Sequence, residues 1–135
     1  MTFINVHKIK EVSKYKRLAA ILFDSSDAVT VLDMKGNILA WNRGAEKMYG
    51  WTESEALKMN IRALWVDGMS NELQSIVEKL EKGDSMLSFQ TCRKTKNGKQ
   101  IKVWMTLSAL TDATDRPVEL ALTERNLAWL KKEQG

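Results

Sequence analysis

Apolar positions along this chain first recur every three or four residues and then switch to a spacing of two. Ile9, Val12, Leu18, Ala19, Ile21 and Leu22, with lysines between them, predict an amphipathic helix over about residues 8–23. It ends in the polar run Asp24-Ser25-Ser26-Asp27. From Ala28 the pattern becomes that of strands. AVTVLD and ILAWN, joined by the glycine-containing turn MKGN, predict an antiparallel hairpin. RGAEKMYGW and TESEALKMN have helical composition, with Gly50 suited to ending the first and Thr52 and Glu55 spaced as a capping box for the second. A further helix is predicted over 69–82, with Ser70 as its cap and Leu73, Ile76, Val77 and Leu80 as its apolar stripe.

Three more strands follow. SMLSFQTCRK and KQIKVWMTLSAL flank TKNG, whose Asn97-Gly98 pair favours a hairpin. In the second of these, Val103, Met105, Leu107 and Ala109 alternate with Lys102, Trp104, Thr106 and Ser108, which places the two sets on opposite faces. VELALTE is a fifth strand after the loop TDATDRP, and the tail from Arg125 reads as a short helix. Five strands with short helices inserted after the second predict an α+β fold, a single antiparallel sheet covered by helices. We divide the chain into a flanking helix (1–27), a core domain (28–126) and the start of a C-terminal helix (127–135).

Composition narrows the chemistry. The chain has 135 residues, one cysteine (Cys92) and one histidine (His7), so it forms no internal disulfide and offers no zinc-type cluster. The lone histidine near the N-terminus also argues against a His-based catalytic centre, and no pair of acids stands apart from solvated helix faces, so a non-enzymatic role is expected. The net charge of +4 sits in the first twenty residues, where five Lys/Arg meet Glu11 alone. The remainder carries sixteen charges of each sign. That argues against a nucleic-acid partner for the core domain. No apolar run reaches membrane-spanning length and no secretory leader is evident, so the expected compartment is the cytoplasm.

The stretch VLDMKGNILAWNRGAEKMYGWTESEALKMNI resembles the PAS domain family of sensory modules. Its Asp33, Gly36, Trp41-Asn42, Ala45-Glu46, Tyr49-Gly50-Trp51 and Glu55-Ala56 fall in the family's order and spacing, and Gly98 and Trp104 resemble its penultimate hairpin. The resemblance covers about residues 20–130 and departs at two places. Lys58 stands where a glycine is usual, and Asn126, Leu127 and Ala128 replace the usual Asp-Ile-Thr. It implies a PAS fold and a signal-transduction module, part of a longer sensor such as a histidine kinase, diguanylate cyclase or transcription regulator. Such a module forms a homodimer and relays a small-molecule or redox signal through its flanking helices to an effector domain. The alternative is a ligand-free dimerisation and interaction module.

The resemblance also directs attention to residues between sheet and helices as a pocket: Trp41, Asn42, Trp65, Leu73, Ile76, Val77, Ser88, Gln90, Met105, Leu107 and Leu122. Met48, Met59, Met86 and Met105 are expected at its border, and Asn42 is expected to cap the following helix. The cofactor stays open. The 69–82 helix has no histidine for haem, and no Asn-Cys-Arg motif exists for covalent light-sensing flavin chemistry. Noncovalent flavin, a small metabolite and a simply filled core all remain. Leu18, Ile21 and Leu22 are expected to meet Trp104 on the outer face of the sheet, in the same chain or a partner copy. Glu124, Arg125 and Asn126 are expected to couple the domain to the output helix, and Glu46 to pair with Lys58.

Overall fold

A computed structural model describes residues 26–67, 71–84 and 86–129. The expected helix over 8–23, with Leu18, Ile21 and Leu22, and the expected cap Ser70 lie outside the described residues. The elements in chain order are β1 (Ala28–Asp33), β2 (Ile38–Trp41), α1 (Arg43–Tyr49), α2 (Glu53–Ala56), a 3-10 turn (Ile61–Leu64), α3 (Glu72–Glu81), β3 (Met86–Lys94), β4 (Gln100–Thr111) and β5 (Pro117–Asn126). The five strands form one antiparallel sheet in the order β2-β1-β5-β4-β3. The first and last strands are therefore neighbours at its centre. The fold is α+β, with the apolar alternate residues of the strands facing the helices: Leu32 of β1, Val103, Met105 and Leu107 of β4, and Leu120 and Leu122 of β5 are all buried.

Local chemistry sets the connections. In the β1–β2 turn one Asp33 carboxylate oxygen accepts from the backbone N–H groups of Lys35 and Asn37, each at 2.9 Å. Gly36 has φ of 90°, and a side chain there would stand 3.0 Å from both Asn60 Oδ1 and Ile61 Cγ2. Its carbonyl accepts from Ile61 N at 2.8 Å, so the turn is docked on the 3-10 segment as well as bent. The capping box expected from Thr52 and Glu55 is present, and Gly50 closes α1 with φ of 84°.

Two expected elements change length. The helix read over 52–60 is only α2, because the segment after it is drawn to the sheet edge: Ile38 N donates to Met59 O at 3.1 Å and Asn37 bridges to Asn60. Conversely β5 continues through Asn126, since Arg125 and Asn126 pair with Trp104 and Val103 of the long β4. The helical turn at 127–129 begins only after Asn126, whose Oδ1 accepts from Ala128 N at 2.9 Å.

Candidate functional site

The interior between sheet and helices is not wholly apolar. On β3 the inward positions are Leu87, Phe89, Thr91 and Arg93, and the last of these is only 1% exposed. A buried guanidinium needs acceptors, and α3 supplies the nearest. Glu72, in its first turn, receives Arg93 Nη2 on Oε1 at 2.6 Å and Nη1 on Oε2 at 3.0 Å, a two-toothed contact. Thr91 Oγ1 donates to the same Oε2 at 3.0 Å. From β5, Glu124 places Oε2 3.4 Å from Arg93 Nε, and Tyr49, the last residue of α1, donates its hydroxyl to that oxygen at 2.6 Å. Glu124 and Tyr49 are both fully buried. One cation, two carboxylates and a phenol thus join α1, α3, β3 and β5.

Burial shapes the charge states. Desolvation raises the Glu124 pKa above the ordinary carboxylate value, against the opposing pull of Arg93 and the Tyr49 hydrogen bond. Burial, followed by the charge and hydrogen bond of Glu124, holds the Tyr49 hydroxyl protonated well beyond its usual range. Burial works against the Arg93 cation, but Glu124 and then Glu72 outweigh it and raise its pKa above normal.

These directions give stability a pH dependence of known sign. Folded Glu124 holds its proton more tightly than unfolded Glu124, whose value is 4.5, so its contribution is present below that pH and is lost as pH rises through the folded value. Glu124→Gln, which keeps an acceptor for Tyr49, should therefore gain on the wild type above pH 4.5. The gain is expected to reach at most about 1.4 kcal/mol per pH unit. Urea midpoints at a series of pH values measure it, and a constant difference between the two proteins would contradict it. Glu55 acts in the opposite sense. The Lys96 contact at 2.7 Å, the Thr52 amide and the Thr52 hydroxyl lower it to about 2, so its contribution is lost as pH falls from 4.5 toward that value.

Trp65, Leu73, Ile76, Leu107 and Leu122 of the expected pocket do converge, with Leu32, Ile61, Leu120, Glu72 and Arg93, around a cavity of about 10 Å³. Met105 is buried beside them, its Sδ 3.9 Å from Arg93 Nη2. Val77 packs half-buried against the core but lines a shallow outer groove with Met34, Arg62 and Gln74. Trp41 is buried with its indole N–H given to Trp51 O at 2.9 Å and its ring tilted against Tyr49, so its polar edge is committed within the fold. Asn42 caps α1, as expected, through Ala45 N at 2.9 Å.

Ser88 and Gln90 are corrections. Both are exposed on the opposite face of β3, where they stand across from Thr106 and Trp104, and Ser88 Oγ lies 3.2 Å from Thr106 Oγ1. The face of β3 is set by Leu87 and Phe89, which pack on the core, and a period of two then sends even-numbered residues outward. Met86 goes outward for the same reason and is 63% exposed. Glu46 does not find Lys58; the ion pair formed there is Glu55–Lys96. Arg93, Glu72 and Tyr49 were not anticipated as site residues. The same period-two reading of β3 marks Thr91 and Arg93 as inward, so the signal was present.

The outer face carries Trp104, 43% exposed, with Thr106 and Ser108 beyond it on β4. Arg125, next to Glu124 but pointing to this side, places Nε 3.2 Å from Asp27 Oδ2. Among the described residues no cluster of His, Cys, Asp and Glu suits a metal ion, and no helix is long and apolar enough to cross a membrane.

The chain resembles solved structures in fold. A PAS domain of a protein from Colwellia psychrerythraea is 21% identical, with a TM-score of 0.78 over 84% of this chain and 97% of that one. A PAS domain from a two-component sensor histidine kinase is 19% identical, with a TM-score of 0.71 over 86% of this chain and 98% of that one. The Rhodobacter sphaeroides LOV protein is also 19% identical, at 0.69 over 85% of this chain and 67% of that one. No curated protein matches the sequence. The model of the PAS fold family matches residues 16–125, most of the chain and all but the end of β5, and the chain belongs to that family.

Proposed function

We propose that this chain is a non-enzymatic sensory module of a longer cytoplasmic signalling protein, acting as a homodimer and relaying an internal change to an effector domain through its terminal segments. The observation that carries this reading is the run Glu124-Arg125-Asn126. Glu124 reaches inward to Tyr49 and Arg93, Arg125 reaches outward to Asp27 just before β1, and Asn126 caps the turn at 127–129. Three consecutive residues thus link the interior to both ends of the core domain. A signal that alters the packing of α3 on Arg93 would shift the strand that leads out of the domain. Its size follows from the difference in affinity for the two packings.

The outer face of the sheet, which carries the exposed Trp104, is the proposed dimer surface. Sedimentation of the full chain tests this: the wild type should run as a dimer and Trp104→Asp as a folded monomer. A monomeric wild type, or a variant that remains dimeric, overturns it. A second reading, a ligand-free dimerisation module, is favoured by the small interior space. The cavity is about 10 Å³, whereas ligand sites commonly measure about 300–1,000 Å³. Absorption spectroscopy of the purified protein, with mass analysis of its denatured supernatant, separates the two. A flavin band or a released molecule supports sensing, and their absence supports the interaction module.

A further inference from the structure

The donors around Glu72 are those that a carboxylate ligand would need. Thr91 Oγ1, Arg93 Nη1 and Arg93 Nη2 converge on its two oxygens at 3.0, 3.0 and 2.6 Å. Their depths differ in an informative way. The Arg93 side chain is 1% exposed, whereas that of Glu72 is 10% exposed, so the receiving group lies inside and its partner at the rim. Arg93 is further fixed by Nη1 donating to Cys92 O at 3.1 Å, a contact that does not depend on Glu72. Beside this cradle is the apolar cavity, lined by Leu32, Ile61, Trp65, Leu73, Ile76 and Leu107 among others. Trp65 lines this cavity, and its indole N–H is buried without a partner among the described residues.

We propose that Thr91 and Arg93 form a receptor for the carboxylate of a small monoacid with a short apolar tail, and that Glu72 occupies this receptor when the acid is absent. The proposal rests on the sensory reading above and names the class of ligand. A guanidinium this deeply buried does not give up its anion unless another takes its place. A planar carboxylate matches its paired N–H groups better than a tetrahedral or neutral group does. Glu124, held 3.4 Å from Nε on the other side of the guanidinium, leaves one vacancy for negative charge and disfavours a multiply charged ligand. A cavity of about 10 Å³ holds roughly one water, so a tail of several carbons enters only as α3 gives way. Release of Glu72, which sits in the first turn of α3, is what would free that helix. Binding and helix displacement are then one event.

The test is calorimetric titration of the full chain with butyrate and with butyramide, its neutral analogue, using the wild type, Glu72→Ala and Glu72→Gln. Removing the internal competitor leaves Arg93 in need of an anion, so both variants should bind butyrate about tenfold or more tightly than the wild type. Butyramide should bind none of them measurably, and inorganic phosphate should bind more weakly than butyrate. Glu72→Gln preserves the size of the side chain and serves if the alanine variant does not fold. In the wild type the Trp65 indole N–H resonance should move with butyrate and stay with butyramide, which keeps the test decisive if neither variant folds. Equal butyrate affinity in wild type and variants, binding of butyramide to match, or an unmoved Trp65 resonance at saturating butyrate overturns the proposal. A neutral molecule released from the purified chain would overturn this inference while leaving the sensory reading intact, whereas a monomeric wild type would count against the dimeric reading alone.

Discussion

Arg93→Ala should destabilise the chain by about 3–5 kcal/mol in urea unfolding at neutral pH, as expected when one partner of a buried ion pair is removed. Its guanidinium gives two hydrogen bonds to Glu72 and an ion pair to Glu124, which is 0% exposed. Without the cation, Glu124 keeps only the Tyr49 hydroxyl, and its second carboxylate oxygen is already without a partner. Two further outcomes separate lost charge pairing from a simple void. The penalty should shrink as pH is lowered, because protonating the buried Glu124, whose pKa is already raised by desolvation, removes its uncompensated charge. Combining Arg93→Met with Glu72→Gln and Glu124→Gln should recover most of the loss, since an uncharged cluster of similar volume carries no ionic desolvation cost. A loss below about 1 kcal/mol for Arg93→Ala would mean that water reaches the cluster and that its coupling role is wrong.

What was legible in the sequence divides along physical lines. The alternation of β4, the Asn97-Gly98 turn and the Thr52–Glu55 capping box are local signals, and each element formed where its own residues placed it. The end of α2 was not legible. Its composition continues to favour helix through Met59, but the edge of β2 offers Ile38 N to the Met59 carbonyl, a contact made only once the hairpin exists. Within the candidate site the apolar stripe of α3 and the inward face of β4 follow from periodicity, while their use as a pocket wall together with β5 is what the PAS resemblance implies. Of the polar half, periodicity places Thr91 and Arg93 inward with Leu87 and Phe89, but a charged residue is read by default as solvated, and nothing local marks Glu72 as the partner of Arg93. Glu72, Arg93 and Glu124 come from three separate elements, and only the sheet order shows that they share one interior. Ser88 and Gln90 differ, because their outward position is a local consequence of the hairpin: the alternation of β4 turns Trp104 and Thr106 outward, and the partner directly across from each shares that face.

Asn42→Ala should cost about 2–4 kcal/mol, more than an ordinary helix cap, because the side chain serves three backbone groups at once. Its Oδ1 accepts from Ala45 N at 2.9 Å, which caps α1, and from Val29 N at 2.8 Å, which fixes the start of β1. Its Nδ2 donates to Asp27 O at 3.0 Å, on the residue whose carboxylate holds Arg125. Alanine would leave the Ala45 and Val29 amides without that acceptor and remove the tie between the Asp27 carbonyl and the start of α1. The amides of Val29 and Ala45 should then exchange with solvent faster by a factor that tracks the loss in stability, with Val29 affected beyond the global change. Asn42→Asp keeps the accepting oxygen and a favourable charge at the helix start while losing the donated bond to Asp27, so its cost should be about half as large. That graded pair distinguishes the two jobs. If the aspartate variant is as damaged as the alanine variant, the tie to Asp27 dominates, and Asn42 matters chiefly as the clasp between the chain leading into β1 and the sheet. If it is nearly as stable as the wild type, the accepting oxygen carries the effect, and Asp27 is held at β1 chiefly through Arg125.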